Sequence, residues 1–166
     1  DAAETRNHAA LRSIVTAGHE VGNHSFEHEP WLHLYSREQL EREVDTTDDA
    51  IEAATGVRPN GFRGPGFSWC PELLEVLSAR GYVYDASTLP TWLGPIARTY
   101  YFWTARLSAE ERERRKGLFG AFADGLRPNK PYRWSLRAGR ELLEIPVTTI
   151  PGVRTRVTDV RARASI

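Results

Sequence analysis

Helical and extended patterns alternate along the first half of this 166-residue chain, with glycines at the points of change. Leu11, Ile14 and Val15 share one face of a helix over His8–Ala17, and Gly18 follows where a helix end favours a left-handed residue. His19–His24 reads as a short strand in which Gly22 marks close backbone approach. Ser36 and Gln39 form a capping box ahead of Leu40, Val44, Thr47 and Ile51, whose spacing is helical, and Gly56 and Pro59 close that stretch. Gly61-Phe62-Arg63 is a strand running into the turn Gly64-Pro65-Gly66, after which Ser68 is expected to cap a helix carrying Leu73, Leu74, Val76 and Leu77, ended by Gly81. Tyr82–Asp85 and Leu142–Thr149 have the β-branched and aromatic content of strands. The alternation predicts an α/β fold with parallel strands and crossover helices, and in barrels of that kind the chemistry gathers at the C-terminal mouths of the strands. His24, Arg63 and Asp85 fall at such ends.

The region between Ser87 and Arg140 breaks the rhythm, and residues 88–140 read as an insertion within a single domain spanning 1–166. It contains Leu89-Pro90-Thr91-Trp92, the aromatic run Tyr100–Trp103, and a helix at Ser108–Lys116 whose mixed charges read as a solvated face. With Lys+Arg 22 against Asp+Glu 22 the chain has no cationic footprint for nucleic acid, and an apolar fraction of 40% is enough to fill a core. No run approaches the roughly 20 apolar residues of a membrane helix. Cys70 is the one cysteine, which excludes an internal disulfide and thiolate zinc sites, so any metal must be held by His and carboxylate. The chain has no Met, and the expectation is a processed product, an excised domain or a fragment.

His24-Ser25-Phe26-Glu27-His28 places two imidazoles at i and i+4, a spacing that brings them to one face if a helical turn separates them, where they could share one divalent metal. The lead Gly18-His19-Glu20-Val21-Gly22-Asn23 into that pair, the arginine turn Phe62-Arg63-Gly64-Pro65, and Tyr84-Asp85-Ala86-Ser87 occur in order. Together they resemble the polysaccharide deacetylase family with its NodB homology domain. The resemblance covers about Ala9 to Ser87 and continues more loosely through Leu143–Thr148. It implies a distorted (β/α) barrel, incomplete here, that hydrolyses N-acetyl or O-acetyl groups on glycans such as chitin or peptidoglycan with a divalent metal. Zinc is the expected ion, with cobalt, manganese and nickel as alternatives. By the same resemblance, His24 and His28 are metal ligands, Arg63 orients the catalytic base, Asp85 supports the general acid, and Gly66 offers a backbone N–H to the reacting carbonyl oxygen. Phe67 and Trp69 follow the turn as candidate glycan contacts.

The chain departs from the family at both ends. Nothing before His8 matches the Thr-Phe-Asp-Asp motif that supplies base and metal ligand, and no His follows His33 to serve as the late general acid. Water, Glu27 or Glu29 would then have to complete the metal shell. Thr46-Thr47-Asp48-Asp49 imitates the missing motif, but its place inside the capped helix reads as a solvated helix face. Cys70 reads as a small buried hydrophobe, and His8, His19 and His33 as structural or exposed. Four readings follow: a deacetylase active in its complete chain, an amide hydrolase on a small nitrogenous substrate, a carbohydrate-binding remnant without catalysis, and a fragment that folds poorly because two parallel strand edges are bare. The expected partner is an acetylated glycan; compartment and oligomeric state are left open.

Overall fold

The helix written most clearly in the sequence is also the one on which the others pack. The computed structural model describes residues 5–91 and 126–149. Among them are three α-helices, α1 (His8–Thr16), α2 (Arg37–Thr55) and α3 (Pro71–Ala79), and four strands, β1 (Gly61–Phe62), β2 (Tyr84–Asp85), β3 (Tyr132–Ser135) and β4 (Glu141–Glu144). The capping box at the start of α2 is complete: Gln39 N–H donates to Ser36 Oγ at 3.3 Å, and Ser36 N–H donates to Gln39 Oε1 at 2.7 Å. Gly56 ends the helix at φ 78°, which an L side chain rarely adopts.

The buried side of α2 carries Leu40, Val44, Thr47, Asp48 and Ile51. The solvated face expected for residues 46–49 is therefore corrected at Thr47 and Asp48, while Asp49 is exposed beside Arg58. Asp48 stands four residues after Val44 and shares its face of the helix, and its charge is tolerated because Asn23 and Tyr82 both donate to it. Leu40 and Val44 join Leu73, Leu74 and Leu77 of α3, with Phe62 and Leu142 from the sheet, in one core. Each such side chain contributes about 1.5–3 kcal/mol on burial. Arg80 grips Asp45 with two nitrogens, and Arg37 Nη1 donates to Glu72 at 2.5 Å, fastening α2 to α3 along the rim.

The sheet order is β1-β2-β4-β3, with β1, β2 and β4 parallel. Parallel strands with helices packed against them give the expected α/β arrangement. The all-parallel expectation is corrected by β3, which pairs antiparallel with β4 through a tight turn at Arg137–Gly139. Glu75 of α3 holds that turn by accepting Arg137 N–H at 2.7 Å and Arg140 Nη2 at 2.5 Å. Residues 132–135, inside the segment expected to be an insertion, are thus a strand of the sheet.

Other boundaries shift. His19–His24 is not a strand; it touches the sheet by one parallel bridge, Asn23 to Phe62. The third helix begins at Pro71 with Cys70 as N-cap, because proline suits a first turn that needs no N–H, and Ser68 is instead buried facing His33. In the two later segments the described strands are Tyr84–Asp85 and Glu141–Glu144. Burial raises the Cys70 thiol above its ordinary value, in keeping with a packed, unreactive side chain. Trp92, Tyr100–Trp103 and Ser108–Lys116 lie outside the described residues. No described helix is long and apolar enough to cross a membrane.

Leu40 is completely buried, so Leu40→Ala is expected to cost about 2–5 kcal/mol in urea unfolding followed by circular dichroism, whereas Ser36→Ala at the cap should cost about 0.5–2 kcal/mol.

Candidate metal and active site

Three consecutive hydrogen bonds bring the ends of the strands to one rim. Arg63 N–H donates to Asn23 carbonyl at 3.0 Å, Ala86 N–H to Phe62 carbonyl at 2.8 Å, and Ile145 N–H to Asp85 carbonyl at 2.8 Å. His24, Arg63 and Ala86 therefore leave the sheet side by side.

His24 and His28 meet, though not on a helix. Their ring centroids are 4.9 Å apart at an interplanar angle of 68°, and the loop between them turns through left-handed backbone at Ser25 (φ 65°) and His28 (φ 58°). Two buried or half-buried side chains hold that loop. Asn23 accepts Ser25 N–H at 2.9 Å on its carbonyl oxygen, while its amide donates to Val44 carbonyl at 3.1 Å and Asp48 Oδ1 at 2.8 Å. The Oε2 atom of Glu43, reaching from α2, accepts Ser25 Oγ–H at 2.5 Å, Phe26 N–H at 2.9 Å and Glu27 N–H at 3.1 Å. Neither residue was singled out as functional from the sequence. Asn23 lay inside the quoted motif, and Glu43 immediately precedes the buried Val44, which was the available sign that it borders the packed face of α2.

His24 Nδ1 lies 2.5 Å from Arg63 carbonyl oxygen. A carbonyl only accepts, so the proton is on Nδ1 and the lone pair on Nε2, the form a metal takes. Partial burial holds the His24 imidazole below its ordinary value; the carbonyl opposes this, and neighbouring His28 and Arg63 add to it. Among the described residues no third His, Cys, Asp or Glu joins the pair. Glu29, expected as a completing ligand, has Oε2 occupied by Trp31 Nε1–H at 2.5 Å and Tyr35 O–H at 2.7 Å. Two neutral imidazoles suit zinc, cobalt, manganese or nickel, and they fit part of a shell that in zinc sites has three or four protein ligands.

Arg63 Nε donates to Ala86 carbonyl at 3.1 Å, which lays the exposed arginine across the loop after β2. Gly64 is enclosed: a Cβ there would stand 1.9 Å from Ser68 carbonyl oxygen. Gly66 at φ 60° forms the exposed crest of the turn, and Phe67, also at φ 60°, is half-buried beside it. Trp69 is committed to packing, with its ring 4.8 Å from that of Trp134 and Arg127 lying over both. An open hollow of about 470 Å³ is lined by Glu29, Trp31, Tyr35, Arg42 and Glu43 next to the histidine loop.

Asp85 is wholly buried, and its hydrogen-bond partners are Ser87 and Glu144; none of the five histidines reaches it. Burial first, and then the facing Glu144, raises the Asp85 carboxyl well above the ordinary carboxylate range. Both causes favour its protonated form. Glu144 is equally buried and had been noticed only as part of the loosely matching late strand.

The polysaccharide deacetylase family model matches residues 2–84, and the chain belongs to that family. A peptidoglycan deacetylase of Helicobacter pylori is 30% identical over 79 residues, covering 48% of this chain and 27% of that protein. A peptidoglycan deacetylase-like protein of Gibberella zeae is 31% identical over 90 residues, covering 54% of this chain and 25% of that protein. The chain thus spans about a quarter of the length of these relatives. A Mycobacterium smegmatis crystal structure, described as a candidate polysaccharide deacetylase, superposes with a TM-score of 0.57 at 21% identity, over 86% of this chain and 36% of that one, and so shares the fold.

Two measurements check the site's scaffold. Glu43→Ala should leave α2 folded while speeding hydrogen exchange at the Phe26 and Glu27 amides, and unchanged exchange there would contradict the loop-holding role. Asp85 binds its proton more tightly folded than unfolded, so its favourable linkage is present below its ordinary value of 3.8 and lost as pH rises through the folded value. Asp85→Asn, which cannot ionise, is expected to gain stability relative to wild type progressively as pH is raised above about 4.

Proposed function

We propose that the complete protein hydrolyses acetyl groups on a glycan with the help of a divalent metal held in part by His24 and His28. The observation that supports this most directly is the pair itself: two adjacent imidazoles on a loop braced by Asn23 and Glu43, one of them fixed in the tautomer that presents Nε2. A bound metal would supply Lewis-acid polarisation of an acetyl carbonyl. The chain's own residues would shape the reaction around it. The Arg63 guanidinium lies beside His24 at the strand mouth, a position suited to orienting a carboxylate base. Gly66 at the crest is suited to donating its N–H to the developing oxyanion, and Phe67 and the Trp31–Tyr35 hollow are suited to the faces of sugar rings. Zinc is the ion of choice for two imidazoles, and the substrate class is an acetylated polymer of the chitin or peptidoglycan kind.

A second reading has its own support. Among the described residues there is no third metal-ligating side chain and no histidine near Asp85 to act as an acid. A domain that binds glycan without hydrolysing it accounts for both facts.

The test is a zinc titration of metal-stripped protein by calorimetry, together with acetate release from acetylated chito-oligosaccharide and peptidoglycan in the presence of zinc, cobalt or manganese. One equivalent of zinc, lost in His24→Ala and in His28→Ala, with acetate release abolished by a chelator, is the expected outcome. Glycan binding that survives His24→Ala, with no acetate released, would establish the second reading. Zinc affinity should fall as pH drops through the depressed His24 value, below 6.5, because only the neutral imidazole binds metal.

A further inference from the structure

The buried carboxyl pair is chemically connected to His24. Asp85 and Glu144 are register partners on the parallel strands β2 and β4, with both side chains fully buried. The oxygens of Glu144 accept three donors: Thr88 N–H at 3.0 Å and Thr88 Oγ–H at 2.6 Å on Oε1, and Trp134 Nε1–H at 2.9 Å on Oε2. Asp85 Oδ1 accepts Ser87 Oγ–H at 2.5 Å, but Oδ2 has no donor. Both Glu144 oxygens are thus supplied with donors, and Asp85 Oδ2, left without a partner, is the free position for a proton on the carboxyl that burial and Glu144 raise. Ser87 has now spent its hydroxyl proton on Asp85, so its oxygen can only accept, and it accepts Gly64 N–H at 2.8 Å. That N–H belongs to the same peptide group whose other end, Arg63 carbonyl, accepts His24 Nδ1–H.

We propose that Ser87, backed by Asp85 and Glu144, is a positioning residue for His24: it orients the Arg63–Gly64 peptide from below so that the carbonyl above selects the Nδ1–H tautomer and turns Nε2 outward. One planar amide transmits the orientation, since its N–H and C=O cannot be turned independently. Gly64 is required because any side chain would drive the turn off Ser68. Asp85 thereby acts without touching substrate, through hydrogen-bond geometry rather than through charge. That His24 binds metal rests on the function proposed above; that the relay fixes its tautomer does not.

The test is long-range proton–nitrogen correlation NMR on the metal-free 166-residue chain, at a pH where His24 is neutral, with zinc affinity measured in parallel. Wild type should show His24 as the Nδ1–H tautomer. Ser87→Ala should shift it to a mixture of both tautomers and weaken zinc binding about 10-fold or more, the usual penalty for losing an outer-shell partner. Asp85→Asn is the discriminating variant: its amide can donate to Glu144 and accept from Ser87, so the Nδ1–H tautomer should persist. A wild-type spectrum with His24 as Nε2–H, a Ser87→Ala spectrum like that of wild type, or an Asp85→Asn spectrum shifted to Nε2–H overturns the relay. The wild-type and Asp85→Asn spectra decide the matter even if Ser87→Ala does not fold. A fixed tautomer in a chain that binds no zinc would leave the relay standing and remove the proposed metal role instead.

Discussion

Asn23, Phe62, Asp85 and Glu144 stand in one row across the sheet, each in register with the next. This row fixes where everything else must go. The residues that follow it emerge together at the strand mouth, and the backbone bond each makes to the preceding strand leaves little freedom in their direction. Because parallel pairing puts register partners on the same side of the sheet, the polar members of the row share the side on which Phe62 enters the core. Asn23, Asp85 and Glu144 are buried, and the sheet must satisfy them internally or lose stability.

The satisfaction of those polar groups is what shapes the histidine loop and the arginine turn. Asn23 bridges α2 and the loop, using Asp48 and Val44 on one side and Ser25 on the other. Asp85 and Glu144 organise Ser87 and Thr88, and through Ser87 the turn at Gly64. Helix α2 thus does two jobs with one stripe: Leu40 and Val44 fill the core, while Glu43 and Asp48, at the margin and within the stripe, secure the segment from Asn23 to Glu27. A hydrophobic helix of the same length would pack equally well and hold nothing in place.

The features legible in the sequence were those set by local rules. A capping box, a left-handed glycine after α2, and the apolar stripe between them depend on residues a few positions apart, and they were read correctly. The ordered motifs likewise gave the family, and the alternation of elements put His24, Arg63 and Asp85 at the ends of extended segments. What escaped was decided at long range. The region 19–24 has the look of a strand but makes a single bridge, because neighbouring chain, not propensity, determines a ladder. The histidines meet through two left-handed residues rather than a helical turn, a geometry that their spacing does not encode. Asp48 was misread because charge outweighed position: it falls on the same periodicity as Leu40 and Val44, and a polar residue on an apolar stripe signals a buried partner as readily as a solvated face.

Glu144 illustrates the deeper limit. Nothing local distinguishes a glutamate at the end of a strand from the exposed glutamates elsewhere in this chain, and its meaning comes entirely from Asp85, Thr88 and Trp134. A buried acid pair is a poor way to gain stability, since both carboxyls are desolvated and their like charges repel, so apolar residues of similar volume would pack at less cost. Apolar replacements, however, would leave Ser87 Oγ without an acceptor for its proton, free to rotate and to donate elsewhere, and the Gly64 N–H would lose the lone pair that orients it. The pair is therefore better understood as fixing direction than as adding strength: it determines which way one hydroxyl points, hence how one peptide lies, hence which nitrogen of His24 faces outward.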